Sequence, residues 1–107
     1  MIGATLFLLA MSAPQCEYKL SHTYQTVSAW GITSSVQILT QPGCPWSIEE
    51  EFPWMRILSP RSGTGPATVT FKAGPNPSPI SRTGYIFGYA GSKSEPAFQF
   101  TVIVFSR

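Results

Sequence analysis

Catalytic chemistry in this sequence would have to use a small set of side chains. His22 is the single histidine, Asp is absent, and the carboxylates belong to Glu17, Glu49, Glu50, Glu51 and Glu95. A Ser-His-acid site would need His22 in the turn after Ser21, and no nucleophile-elbow motif surrounds any serine. A glycosidase pair would have to combine three adjacent glutamates with two distant ones. We therefore expect no catalytic residues and no enzyme activity.

The same side chains are poorly spaced for a metal ion. One histidine and two cysteines far apart in the sequence do not make a zinc site, and no acidic segment has the spacing of a calcium loop. The three consecutive glutamates at 49–51 are typical of a solvated loop. We therefore expect neither a metal site nor a cofactor.

The two cysteines, Cys16 and Cys44, have a structural explanation. Two cysteines in a Lys-poor, Thr-rich chain fit one disulfide in an oxidising compartment, although two reduced thiols would fit as well. A bridge would join the first predicted strand to the turn before Trp46, and closing a loop of that size contributes roughly 3 to 4 kcal/mol. We predict the bridge.

Charge and the first residues limit the partners of the chain. Charged residues make up 11% of the sequence and the net charge is +2, without the basic cluster that a nucleic-acid partner requires.

Residues 1–13, MIGATLFLLAMSA, resemble the end of a secretory signal peptide but lack the usual preceding basic residue. The edge of a fragment, or a first strand, fits them equally well, and they are too short to span a bilayer.

We accordingly divide the chain into a leader, residues 1–13, and a single domain, residues 14–107. The length of the chain suits one domain with one core. With the predicted bridge and the leader, this organisation indicates a secreted, periplasmic or cell-surface protein.

Short strands must position whatever side chains are functional. Ten Pro, nine Gly and 13% aromatic residues are typical of strands joined by many turns. Alternating apolar and polar residues and turn signals predict strands at residues 17–20, 23–29, 34–40, 45–48, 55–58, 67–73, 82–89 and 98–105. Loops are expected at 49–53, 60–66, 74–79 and 90–96. Seven or eight short antiparallel strands predict an all-β, immunoglobulin-like sandwich.

The order of these features resembles the BACON domain, an immunoglobulin-like β-sandwich of secreted and surface proteins, often found beside glycoside hydrolases or proteases. The resemblance rests on an ordered set of segments: residues 16–21 (CEYKLS), Gly31, 36–40 (VQILT), 43–46 (GCPW), 54–57 (WMRI), 62–65 (SGTG), 69–71 (VTF), Asn76, 82–86 (RTGYI) and 100–102 (FTV). It covers most of the chain and implies a carbohydrate-binding role, which for the family is itself a proposal based on neighbouring domains.

The aromatic residues divide into a predicted core and a predicted ligand surface. Immunoglobulin-like sandwiches commonly pack a Trp against a disulfide, so we assign Trp46 to the core. The full predicted core is Trp46, Trp54, Ile57, Val69, Phe71, Ile86, Phe100 and Val102. Sugar binding needs exposed aromatic rings beside polar groups. Trp30, beside a Gly turn, and the outward stripe of Tyr85, Phe87 and Tyr89 are the candidate ligand-binding residues. The alternative is that a neighbouring domain, a partner or the 90–97 loop covers them.

Three functions are consistent with this pattern. The first is a non-catalytic extracytoplasmic module that serves as a spacer or adhesion domain of a larger protein. The second is a carbohydrate-binding module for mucin or plant glycans. The third is a protein-interaction or self-assembly domain that pairs through an exposed last strand, because residues 102–105 are unusually apolar. The expected partners are therefore glycans or neighbouring domains.

Overall fold

The computed structural model describes residues 16–91 and 95–107, which form a β-sandwich of two sheets. The predicted leader and residues 92–94 of the predicted 90–96 loop lie outside this part of the chain. The described strands are β1 (Lys19–Leu20), β2 (Tyr24–Val27), β3 (Ile32–Leu39), β4 (Pro45–Glu50), β5 (Met55–Ile57), β6 (Ser62–Thr64), β7 (Ala67–Ala73), β8 (Arg82–Ala90) and β9 (Pro96–Val104). The predicted all-β sandwich is confirmed. Residues 16–91 and 95–107 contain no helix that could cross a bilayer.

The sheets contain four and five strands. The four-stranded sheet has the order β1-β3-β7-β5 with antiparallel neighbours, and the five-stranded sheet has the order β2-β9-β8-β4-β6. One pairing differs from the antiparallel expectation, because β2 runs parallel to β9. β1 pairs in one sheet, and residues 21–23 then carry the chain to the edge of the other sheet, where β2 pairs with the end of β9.

The core lies between the sheets and follows the two-residue period of the strands. In β7, Val69, Phe71 and Ala73 are buried, while Thr68 and Lys72 are exposed. Successive side chains of a strand point to opposite faces, so this alternation alone directs one face inward. Both sheets contribute to a single cluster that contains Val27, Val36, Ile38, Trp46, Ile48, Met55, Ile57, Val69, Phe71, Ala73, Ile86, Phe100, Val102 and Val104.

Two glycines of β8 make room for aromatic rings that pack against the core. A side chain at Gly88 would collide with the ring of Phe98, its partner on β9. A Cβ atom at Gly84 would lie 2.8 Å from the ring of Trp54. Glycine at these positions therefore permits packing that no other residue would allow.

Three predicted loops contain strand residues, and in one of them, 90–96, these are the end residues Ala90 and Pro96. Ser62–Thr64 forms β6 within the predicted loop at 60–66, because it pairs with β4 and places Gly63 opposite Trp46. The indole lies over Gly63, where a Cβ atom would be only 2.9 Å from the ring. Glu49 and Glu50 extend β4 instead of beginning a loop, since both pair with β8.

Asn76 is the one buried polar residue found in the described part of the chain. Its Nδ2 donates to the carbonyl oxygens of Ile80, Val104 and Phe105 at 2.9, 3.3 and 3.2 Å. Its Oδ1 accepts from the backbone N–H of Ser78 at 3.0 Å. These bonds satisfy the buried amide and fasten the connection between β7 and β8 to the end of β9.

The predicted exposed last strand is wrong. β9 lies inside the five-stranded sheet, with β8 on one side and β2 on the other. Val102 and Val104 are buried, and residues 101–104 pair with all four residues of β2. The apolar character of residues 102–105 therefore reflects burial in the core, and their pairing leaves no open edge for self-assembly through this segment.

Candidate functional site

The residues with catalytic potential are dispersed across the fold. His22 precedes β2, where its Nδ1 lies 3.2 Å from Ser21 Oγ and its ring packs edge-on against Phe100. Glu49 and Glu50 lie on β4, which is separated from β2 by β9 and β8. β2 and β4 are therefore three strand spacings apart, a distance of about 14 Å across the sheet. Among the described residues no group of three or more His, Cys, Asp or Glu could hold a metal ion. The absence of enzyme activity stays a prediction.

The disulfide between Cys16 and Cys44 is confirmed, with the two Cα atoms 5.7 Å apart. Cys16 precedes β1 of the four-stranded sheet, and Cys44 precedes β4 of the five-stranded sheet. The bridge therefore links the two sheets near the start of the described chain. Hydrogen bonds support the same region: Thr40 Oγ1 donates to the Glu17 carbonyl at 2.7 Å, and Tyr18 Oη donates to the Pro45 carbonyl at 2.5 Å.

The three tryptophans occupy different environments. Trp46 is buried, and its Nε1 donates to the carbonyl of Gly65 at 2.9 Å. Trp54 was predicted in the core but lies at its edge, partly buried, where it stacks on Phe52 and lies under the guanidinium of Arg82. The backbone around Trp54 turns before β5 begins, so one side of its ring remains open to these neighbours. The other predicted core residues, Ile57, Val69, Phe71, Ile86, Phe100 and Val102, are buried.

An aromatic surface covers the outer side of the five-stranded sheet. In β8, Ile86 points into the core, so Tyr85, Phe87 and Tyr89 lie on the opposite, half-buried side. The rings of Tyr85 and Phe87 stack with their centroids 5.7 Å apart. From Tyr85 to Tyr89 the strand extends about 14 Å, so the rings form a row and not a single point of contact.

Tyr24 extends this surface and was missed in the sequence. The register places Tyr24 of β2 beside Thr101, and Thr101 beside Tyr85, so Tyr24 and Tyr85 share one row about 10 Å apart. Tyr24 is 61% exposed. No local signal could have found this neighbour, because it depends on the parallel pairing of β2 with β9. We call Tyr24, Tyr85, Phe87 and Tyr89 the aromatic face.

Polar groups border the aromatic face. Phe87 lies between Gln99 of β9 and Glu49 of β4 in the register. Tyr89 Oη donates to Glu49 Oε2 at 2.8 Å, and this hydrogen bond raises the pKa of Tyr89 because it stabilises the protonated phenol. Rings flanked by a carboxylate and an amide combine apolar contact area with hydrogen-bonding groups, as ligand sites require.

Trp30 is not part of the aromatic face. It lies in the turn between β2 and β3, at the end of the sandwich where β8 begins, whereas the aromatic face extends toward the other end of β8. Trp30 is 74% exposed, and the guanidinium of Arg107 lies 4.4 Å from its ring centroid. Gly31 follows with φ of 85°, which favours glycine at this turn. The structure therefore separates the predicted ligand residues into two places.

An ion pair closes one side of the sandwich. The guanidinium of Arg61 donates both to Glu50 Oε1 and, at 2.7 Å, to Glu50 Oε2, which also accepts from the Ile57 N–H of β5 at 3.3 Å. The hydrogen bond from Arg61 lowers the pKa of Glu50 to about 2 against the opposing effect of burial. The pair borders an open cleft of about 370 Å³. Because Glu50 belongs to one sheet and Ile57 to the other, the pair joins the two sheets.

Comparisons with known proteins identify the fold. No protein-family model and no curated protein matches this chain. Part of a Bacteroides ovatus GH5 xyloglucanase, solved in complex with an XXXG heptasaccharide, superposes with a TM-score of 0.70 at 19% identity over 87% of this chain. This chain covers 19% of that xyloglucanase chain.

Two further solved structures are similar over most of both chains. The C. elegans MSP family member WR4 has a TM-score of 0.53 at 13% identity, over 84% of this chain and 97% of its own. The ASH / PapD-like domain of human CEP192 has a TM-score of 0.56 at 10% identity, over 85% of each chain. This chain has an immunoglobulin-like β-sandwich fold. Identities this low establish the fold alone.

Proposed function

We propose that this chain is a non-catalytic immunoglobulin-like module of a larger secreted, periplasmic or cell-surface protein, where it acts as a spacer or adhesion domain. The observation that carries the proposal is a disulfide-linked sandwich that resembles about a fifth of a much longer xyloglucanase chain. Disulfides persist in oxidising compartments, and sandwiches of this kind recur as appended domains. The chain resembles the BACON domain in its ordered sequence segments, and we propose that family for it.

A turnover assay tests the non-catalytic part of this proposal. The isolated chain is incubated with a panel of glycan and peptide substrates, and we expect no product above background. Product formation that His22→Ala or Glu49→Gln abolishes would contradict the proposal. A circular dichroism spectrum of each variant shows that it remains folded, so any lost activity would reflect chemistry and not unfolding.

A second candidate function is carbohydrate binding on the aromatic face. The observation that favours it is the stacked pair of Tyr85 and Phe87 on an outer sheet surface, with Glu49 and Gln99 beside Phe87. Aromatic faces stack on the apolar sides of sugar rings, while carboxylate and amide groups bind their hydroxyls. Plant xyloglucan oligosaccharides and mucin glycans are the classes to test first.

Calorimetry with the XXXG heptasaccharide and with released mucin glycans tests this candidate. We expect Phe87→Ala to weaken binding at least tenfold, since it removes the ring at the centre of the row, while Trp30→Ala leaves binding unchanged. Thr70→Ala on the outer side of the other sheet is the matched control. Binding that survives Phe87→Ala but is lost in Trp30→Ala would place the site at the end of the sandwich, and no binding by the wild type would remove the candidate.

A further inference from the structure

One sheet edge of the described chain is unusually open. β1 pairs with β3 only at Ile38 and Leu39, and Ser21 continues the contact to Gln37. The remaining residues of β3, 32–36, have β7 on one side and no strand of the described chain on the other. Within residues 16–91 and 95–107, five residues of this edge therefore have no strand partner.

The register identifies the free backbone groups. The Gln37 carbonyl accepts from the Ser21 N–H at 2.9 Å, and the Gln37 N–H donates to Ser21 Oγ at 2.9 Å, so residue 37 faces the β1 side. Backbone groups of alternate residues point the same way along a strand. Thr33 and Ser35 consequently direct two N–H and two C=O groups outward, and both residues are exposed.

The other edges differ in length or carry features that prevent pairing. β1 is two residues long and contains Lys19, while β5 and β6 have three residues each. The first half of β9 begins with Pro96 and contains a register shift, and the free edge of β2 is four residues long. Charged residues, Pro, bulges and short length are the usual protections of a strand edge. The open segment of β3, ITSSV, has none of them.

We propose that two copies of this chain pair through this segment, antiparallel and across a two-fold axis at Ser34, to join their four-stranded sheets. Thr33 then exchanges two hydrogen bonds with Ser35 of the partner subunit, and symmetry provides a second such pair. Ile32 is 41% exposed in the single chain, and in the dimer it lies beside Val36 of the partner subunit, which covers it. The segment carries no charge, so two copies approach without repulsion.

The length of the open segment matches this pairing. At one end the strand begins after Gly31, whose positive φ turns the chain away from the sheet. At the other end Ser21 occupies the edge at residue 37. A second copy that pairs residue 32 with residue 36 therefore fills the free edge and stops before residue 37, which Ser21 occupies.

Sedimentation equilibrium of the full chain at millimolar concentration tests the proposal, and we expect a dimer. Ser35→Pro removes an N–H that has no bond within the described fold, so the monomer keeps its sheet while the dimer dissociates at least tenfold more readily. Ser35→Ala keeps that N–H and should dimerise like the wild type. A monomeric wild type, or a dimer that Ser35→Pro leaves unchanged, would overturn the proposal.

A cysteine pair keeps the test independent of the proline variant. In the proposed dimer, Ser34 would lie on the two-fold axis opposite its own copy, in a pair without backbone hydrogen bonds, where Cα atoms are about 4.5 Å apart. That distance is within the range of a disulfide. In the single chain Ser34 Oγ donates to Gln25 Oε1 at 3.0 Å, a bond that the cysteine variant gives up. We expect Ser34→Cys to give a covalent dimer on a non-reducing gel and Ser35→Cys to remain monomeric. A bridge in the second variant and not in the first would exclude this register.

Discussion

The two outer surfaces of the sandwich differ although they cover one core. On the five-stranded sheet the outward positions of β8 are Thr83 and the three aromatic residues Tyr85, Phe87 and Tyr89. The outward positions of β7 on the four-stranded sheet are Thr68, Thr70 and Lys72. We call Thr33, Ser35, Thr68 and Thr70, which share that side of the four-stranded sheet, the hydroxyl face. On the inward side, β7 buries Val69, Phe71 and Ala73, and β8 buries Gly84, Ile86 and Gly88.

This difference indicates what is and is not decided by folding. The inner residues of both strands must fill the same space, so they are apolar in both sheets. The outer residues face solvent, where polar side chains satisfy folding equally well. The core therefore does not require aromatic rings on one side of the sandwich and the hydroxyl face on the other. This difference directs the search for a ligand to the aromatic face.

The largest effect should come from the core that both faces share. Trp46→Ala removes a buried indole and its hydrogen bond to Gly65, so we expect a loss of about 3 to 5 kcal/mol in the free energy of unfolding. Urea denaturation measures it, and Trp30→Ala, an exposed tryptophan, should cost about 1 kcal/mol or less. A folded Trp46→Ala protein that lost only ligand binding would break the assignment of function to the aromatic face.

The next effect concerns the covalent link between the sheets that carry the two faces. Replacing Cys16 and Cys44 together by Ser should lower the free energy of unfolding by roughly 3 to 4 kcal/mol, because the unfolded chain gains the freedom of an open loop. Thermal unfolding with and without reductant checks this, since reductant should destabilise only the wild type. Equal melting temperatures of wild type and double variant without reductant would show that the bridge does not stabilise the domain.

A smaller, pH-dependent effect belongs to the ion pair that joins the sheets on the other side. The folded pKa of Glu50 is about 2, below its ordinary value of 4.5. The stability it contributes is therefore present above pH 4.5 and is lost as the pH falls toward 2. Arg61 is half exposed, so solvent screening reduces the contribution to about 1 kcal/mol.

Urea denaturation of wild type and Glu50→Gln across this pH range measures that contribution. The difference between the two proteins should be present at neutral pH and shrink as the solution is acidified. Glu51→Gln, which removes an exposed carboxylate from the same segment, is the matched control and should show little difference. If the difference in the free energy of unfolding between wild type and Glu50→Gln persisted at pH 2, its cause would be packing and not the charge of Glu50.

The smallest effect is local to the aromatic face. Glu49→Gln removes the carboxylate that accepts from Tyr89, so the pKa of Tyr89 should fall toward its ordinary value. Tyrosinate absorbance in an alkaline titration follows this change, with Glu51→Gln as the control. An unchanged titration would mean that Glu49 and Tyr89 do not interact in solution, and Glu49 would then be free to bind a saccharide hydroxyl.

The sequence pattern predicted burial correctly where buried residues recur at every second position of a strand. The alternation of β7 and of β8 predicted which residues point inward, and the two cysteines predicted the confirmed bridge. The prediction failed where pairing depends on distant strands: residues 62–64 form β6 because Gly63 accommodates Trp46, and residues 102–105 are apolar because β9 lies between two strands. An apolar run has the same sequence pattern in a strand at the edge of a sheet and in a strand inside the sheet.

The candidate site shows the same division. The sequence by itself determined the all-β class, the inward and outward sides of each strand, and the row of Tyr85, Phe87 and Tyr89, because side-chain alternation is a property of neighbouring residues. Only the tertiary structure decided that Tyr24 joins this row, that Trp30 lies elsewhere, and that no other described strand pairs with residues 32–36 of β3 on the side away from β7. Those facts depend on sheet order and register, which are set by contacts between segments far apart in the chain.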